Sequence, residues 1–235
     1  MIFEGEYKDI WRWNGKGKEY YDNNKLKFEG EYLNGLKWNG KGYDTKNNIS
    51  YELKNGTGSI KEYYDDGELK FEGEYLNGKR SGIGIEYLYH YGPLEFDYKP
   101  DFDEGSSYNS DKYVFSGFYR PKIFKAFEGE YSNGLRNGKG KEYYNTGIIK
   151  FEGEYLNGKR WKGKGYNIKG NIEYGMKDGY GYIKEFFSDG SVKFEGKYIN
   201  GEKNGKAKEY DIEFRSLIWQ CETIENKQFY YLLFE

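Results

Sequence analysis

Along most of the chain, aromatic residues and glycine alternate with glutamate or lysine. In Phe28-Glu29-Gly30-Glu31-Tyr32 the two rings and the glycine share one side of an extended strand, and the two glutamates share the other. The pentad Phe-Glu-Gly-Glu-Tyr begins at Phe3, Phe28, Phe71, Phe127 and Phe151, with near copies at Phe115 and Phe194. An Asn-Gly step follows, as at Asn133-Gly134, and then a return run such as GKGKEYY at 138–144. Asn-Gly accepts the positive φ angles of a tight reversal, so each unit reads as a β-hairpin. A second turn, such as Asp66-Gly67 or Asp189-Gly190, leads to the next unit. No window of 11 or more residues carries a convincing helical period.

The two longest gaps between pentads hide further units, beginning at Ile49 and Ile172, so the working period is about 21–25 residues. A second level lies above it. Residues from Phe28 to about Tyr89 align without gaps to Phe151 onward at an offset of 123, with Trp38 matching Trp161, Ile49 matching Ile172 and Gly67 matching Gly190. Duplication of a block of several repeats is the simplest explanation.

The predicted fold is all-β: an elongated, twisted, single-layer antiparallel sheet of tandem hairpins without significant helix. Glycine between two aromatics leaves room for a ring from a neighbouring strand, and aromatics supply large burial per residue. Glutamates opposite lysines on the other face contribute roughly 0.2–1 kcal/mol per pair. About nine hairpins at 4.8 Å per strand span on the order of 80–90 Å. The predicted divisions are 1–91, a first block of repeats; 92–126, an irregular insertion with one degenerate half-repeat; 127–213, the duplicate block; and 214–235, an apolar cap, all in one continuous repeat domain.

Composition sharpens this picture. Of 235 residues, 28 are Tyr, 16 Phe and 34 Gly, which suits strands and turns, and with a net charge of only −2 it excludes a disordered chain. The near balance of 37 basic and 39 acidic residues argues against a generic nucleic-acid binder. One cysteine, Cys221, and one histidine, His90, exclude a disulfide framework and a multi-thiolate or multi-imidazole metal site. The opening MIFEGEYKDI lacks the basic-then-apolar pattern of a secretory signal, and no stretch approaches the ~18 apolar residues of a spanning helix, so an intracellular, cytoplasmic protein is expected.

These units resemble the MORN (membrane occupation and recognition nexus) repeat. Phe127, Gly129, Tyr131, Gly134, Gly138 and Gly140 follow its spacing, as do Phe71, Gly73, Tyr75, Gly78, Gly82 and Gly84. Two units carry one extra residue, between Gly35 and Gly40 and between Gly158 and Gly163, each beside a tryptophan, which points to a β-bulge. The resemblance implies a groove-like sheet that acts in protein association or oligomerisation. Lipid binding is the alternative it suggests, as a peripheral membrane or phosphoinositide-binding module. It implies no catalytic activity.

The residue-level candidates follow from this reading. Trp13, Trp38, Tyr51, Trp161 and Tyr174 are the candidate contacts of a protein partner in an aromatic-lined groove. Lys159, Arg160, Lys162 and Lys164 are the candidate contacts of an anionic lipid. The apolar tail 214–235 is a cap for an open array, and its strand edge is a candidate for self-association. The acidic run 101–111 lacks EF-hand spacing and reads as a solvated loop. Gly158 to Lys164 looks like a phosphate loop, but Gly165 stands where a magnesium-binding hydroxyl belongs. The glutamate pairs recur in nearly every unit, which suits a lysine-paired face rather than a catalytic carboxylate dyad. No catalytic residue, metal or cofactor is expected.

Overall fold

The computed structural model describes residues 2–8, 11–90, 122–210, 217–224 and 227–231, with side chains for 4–7, 14–89 and 122–210. The described chain is all β-strand and turn, antiparallel throughout and not closed into a barrel. Strands pair in the order in which the sequence supplies them. The first sheet holds β1 (Ile2–Lys8), β2 (Trp11–Tyr20), β3 (Leu26–Leu33), β4 (Leu36–Tyr43) and β5 (Ile49–Leu53). The second runs from β6 (Gly58–Tyr63) through β7 (Leu69–Leu76), β8 (Lys79–His90), β9 (Lys122–Ser132), β10 (Leu135–Tyr143), β11 (Ile149–Leu156) and β12 (Lys159–Tyr166) to β13 (Ile172–Met176). The third holds β14 (Gly181–Phe186), β15 (Val192–Ile199), β16 (Glu202–Tyr210), β17 (Leu217–Ile224) and β18 (Lys227–Tyr231).

The two breaks in the ladder fall in the units begun by Ile49 and Ile172. There β5 meets β6, and β13 meets β14, through one isolated bridge each, Lys54 to Thr57 and Lys177 to Tyr180. In most other strand pairs glycine faces glycine, as in Gly73 to Gly84 and Gly140 to Gly153, while Gly196 faces Ala207. In the broken hairpins Leu53 and Ile60, and Met176 and Ile183, stand where glycines would be, and all four are buried. Both breaks sit at the same place in the duplicated block.

Two kinds of turn alternate along the ribbon. One is a two-residue reversal, with Asn34 at φ 51° and Gly35 at φ 78° representative, the signature of a type I′ turn. These tips are tied to one another: the Gly78 N–H donates to the Gly56 carbonyl at 2.8 Å, and the Gly201 N–H to that of Gly179 at 2.9 Å. Asparagine side chains of the preceding return strand add a second tie, as Asn39 Oδ1 accepts from the Asn55 N–H at 2.8 Å. The other turn is wider, and on it the Tyr144 N–H donates to the Ile148 carbonyl at 2.8 Å.

The core is the row of leading rings. Phe28, Phe71, Phe127, Phe151 and Phe194 are 0–1% exposed. Each packs edge-on against a tyrosine of its own strand, with centroids 5.6 Å apart for Phe127 and Tyr131. The glycines beneath are required by contact: a Cβ on Gly140 would lie 2.5 Å from Phe127 Cζ. Trp38 is the extra residue of its unit, and the register slips beside it, between Glu31 and Tyr32, as a bulge demands. Residues 122–126 of the expected 92–126 insertion belong to β9, which pairs directly with β8, His90 opposite Lys122, and residues 92–121 lie outside the described residues. In the C-terminal segment, Trp219 and Cys221 take the register places held by Phe151 and Gly153 on β11, three hairpins earlier, so β17 continues the ladder.

Candidate functional site

The ribbon presents two faces and two turn edges. On the aromatic face every core phenylalanine is covered by a cation from the next strand. The guanidinium carbons of Arg80, Arg136 and Arg160 sit 3.9, 4.1 and 5.0 Å from the ring centroids of Phe71, Phe127 and Phe151. Lys37 and Lys203 do the same over Phe28 and Phe194, at 4.7 and 4.3 Å. The glutamate of each KEY-type return run lies on this same face. The result is a chain of alternating charges, Glu62–Arg80–Glu86–Arg136–Glu142–Arg160–Glu185. Arg80 bridges Glu62 at 2.9 Å and Glu86 at 2.7 Å, and Arg160 reaches Glu185 at 2.7 Å and closes tightly on Glu142. Tyrosine hydroxyls join it, Tyr155 donating to Glu142 at 2.9 Å and Tyr75 donating to Glu62.

The electrostatics follow from that packing. Burial pushes the Glu142 carboxyl up, but Arg160 and then Arg136 outweigh it and hold the group at about 2. Burial pushes the ammonium of Lys150, in the same stretch, below its ordinary value. The aromatic face is therefore a self-neutralised layer laid over rings, and the rings themselves are not on offer to a partner.

The candidate residues do not gather in one place. Tyr51 and Tyr174 are in the core, stacked on Phe28 and Phe151 with centroids 6.5 and 6.4 Å apart. Trp38 and Trp161 are half-buried at the tight-turn edge, packed over Gly56 and Gly179. Beside Trp38 an open depression of about 300 Å³ is lined by Leu33, Leu36 and Lys79 with three turn asparagines. The side chain of Trp13 lies outside the described residues. Arg160 belongs to the aromatic face, Lys159 pairs with Glu202 at 2.6 Å, and Lys162 lies 3.8 Å from Glu154. Lys164 is exposed opposite Glu152. Of the four lipid-contact candidates, Lys162 and Lys164 share one exposed face.

On that Glu–Lys face the expected pairing holds, with Lys18 on Glu29 at 3.2 Å and Lys61 on Glu72 at 3.4 Å. Residues 71–88, 127–148 and 194–211 match the MORN repeat, and 13–34 and 57–77 match a MORN repeat variant. The chain carries MORN repeats. The matched segments each join a Phe-x-Gly strand to a neighbouring return strand across one turn, whereas the two tryptophan-bearing tips fall outside them. No curated protein matches the chain. No helix among the described residues is long and apolar enough to cross a membrane.

Sequence reasoning missed the charge chain of the MORN array. Strand alternation places Glu142 on the side of Gly140, and Gly140 faces Gly129 and Gly153, so its face is readable once the register is known. Its pairing is not readable, because Arg136 and Glu86 are fifty residues apart.

Proposed function

We propose that this MORN array is a non-catalytic scaffold that mediates protein–protein association. The observation that carries the reading is the self-neutralised aromatic face. Its half-buried charges recur hairpin after hairpin and are matched by opposite charges, which suits a rigid support and leaves no unique acid–base pair poised for chemistry among the described residues. What remains for a partner is the exposed Glu–Lys face and the tight-turn edge, with its depression beside Trp38. The aromatic-lined groove gives way to these surfaces, since the core rings lie beneath arginine and lysine.

Capture of interacting proteins by the full chain, with Trp38→Ala and Trp161→Ala variants as comparisons, tests the reading. Recovery of the same partners by the wild type in independent captures, and their loss from a variant that keeps its thermal stability, is expected. Failure to recover any protein, with binding to phosphoinositide vesicles that weakens as salt rises, would replace it with membrane recruitment.

A further inference from the structure

The two duplicated blocks have the same strands and the same breaks, so they act as internal controls for each other. On the Glu–Lys face of β4 to β8 the first block places Lys41 and Lys61 with Glu52, Glu72 and Glu74, a net charge of −1. The same face of β12 to β16 carries Lys162, Lys164, Lys184, Lys197, Lys206 and Lys208 with Glu173 and Glu195, a net charge of +4. Glutamates on the preceding strand, Glu29 and Glu31 or Glu152 and Glu154, border both faces equally. At the offset of 123, Asn39 has become Lys162, Glu74 has become Lys197, and Ile83 and Ile85 have become Lys206 and Lys208.

Crowding does not account for these changes, although Lys208 gains an ion pair with Glu195 at 3.3 Å. Ile83 is 58% exposed, so its counterpart Lys206 relieves no crowding. Glu52 has become Gly175, yet a Cβ on Gly175 would meet nothing nearer than the Gly163 carbonyl at 3.9 Å. A carboxylate has gone from a place that had room for it. Next to that opening the first block's Thr57 and Ser59 have become Tyr180 and Tyr182, 53% and 58% exposed, with Tyr182 opposite Lys197 in the ladder.

We propose that the Glu–Lys face of β12 to β16 is a docking surface for an acidic, extended polypeptide segment of a partner protein. Three observations favour that occupant. The surplus charge is positive, and lysines two apart on one strand, Lys162 and Lys164 or Lys206 and Lys208, are spaced like the alternate side chains of an extended acidic peptide. The cations are all lysine, whereas Arg80, Arg136 and Arg160, of the residue type that grips phosphate with a planar fork, are bound to glutamate on the opposite face. The aliphatic anchors that a membrane surface would draw on are lost here, Ile83 and Ile85 giving way to lysine. The phenols of Tyr180 and Tyr182 add hydroxyl donors for carboxylates. The inference rests on the scaffold reading and names the partner's chemistry.

The test uses the full chain and a labelled peptide of alternating glutamate and serine, followed by fluorescence anisotropy. The key variant returns three places to their first-block identities, Lys197→Glu, Lys206→Ile and Lys208→Ile, residues that the same backbone already holds. Wild type is expected to bind, more weakly as salt rises, and the triple variant to lose affinity at least about tenfold with an unchanged melting temperature. The reciprocal graft, Glu74→Lys with Ile83→Lys and Ile85→Lys, is expected to create binding on the first block, which a merely structural role would not do. Equal binding by wild type and triple variant, or no peptide binding at all, overturns the proposal. So does tighter binding of single-stranded DNA or phosphatidylserine vesicles that the same triple variant abolishes. If the peptide arm fails while captured proteins are still recovered, the scaffold reading stands without this surface.

Discussion

Three tyrosines at the wide turns reach across two strands, and a fourth site lacks the hydroxyl to do so. Tyr21, Tyr64 and Tyr144 donate to the carbonyls of Tyr43, Tyr87 and Tyr166 at 2.6, 2.9 and 2.8 Å. Phe187 occupies the corresponding place: its N–H donates to Ser191 as that of Tyr64 does to Glu68, and Gly190 donates to it as Gly67 does to Tyr64. The carbonyl it faces by the same count is that of Tyr210. Phe187→Tyr therefore adds one hydroxyl–carbonyl bond to an existing ring position. A bond of this kind contributes about 1 kcal/mol net, because water gives up a comparable one. For a chain of this length that raises the melting temperature by about 2–4 °C. Tyr144→Phe, which keeps the ring and removes the donor, should lose about as much. Urea midpoints and thermal melts of the two variants measure both. If Phe187→Tyr leaves stability unchanged or lowers it while Tyr144→Phe destabilises, the equivalence of the four sites is wrong.

Gly140→Ala should cost about 1–3 kcal/mol, because its methyl enters the Phe127 ring, while Gly175→Ala, with nothing nearer than 3.9 Å, should stay within about 0.5 kcal/mol; urea melts compare the two. Glu142 titrates at about 2 in the folded chain against an ordinary 4.5. Its stabilisation is complete above about pH 4.5 and is lost as pH falls toward 2, so Glu142→Gln should flatten the acid limb of stability against pH while costing about 3 kcal/mol at neutrality by leaving Arg160 short of a partner. The Tyr43 phenol is pushed to about 12 by its hydrogen bond to Glu29 and by burial, and that of Tyr166 equally by Glu152. The stability these phenols confer is present below pH 10 and lost as pH rises toward 12, and Glu29→Gln should bring one phenolate absorbance step to lower pH.

The hairpin order, the turn chemistry and the aromatic face were legible in the sequence because they depend on neighbours. Asn34-Gly35 needs only two residues to specify its reversal, and the alternation in Phe127 to Tyr131 needs only five. The bulge at Trp38 was legible as a single surplus residue. Two things were not. The ladder breaks at β5/β6 and β13/β14 depend on Leu53 meeting Ile60 and Met176 meeting Ile183, a matter of which side chains face each other at a splayed pair. The fate of Tyr51 and Tyr174 depended on the preceding strand, since Gly42 and Gly165 open the space that their rings fill.

The ties between successive tight turns have a mechanical consequence. Strands lie across the ribbon and bond mainly to their neighbours in sequence, so a pull on the two chain ends loads one hairpin's ladder at a time rather than all in parallel. The two splayed joints, where the strand ladder thins to a single bridge beside the turn-to-turn bonds, are the seams where such a load would first part the array. Stretched between two attachment points, the protein would yield stepwise and reel out slack in hairpin-sized lengths, and it would shorten again as each hairpin re-zipped beside its neighbour.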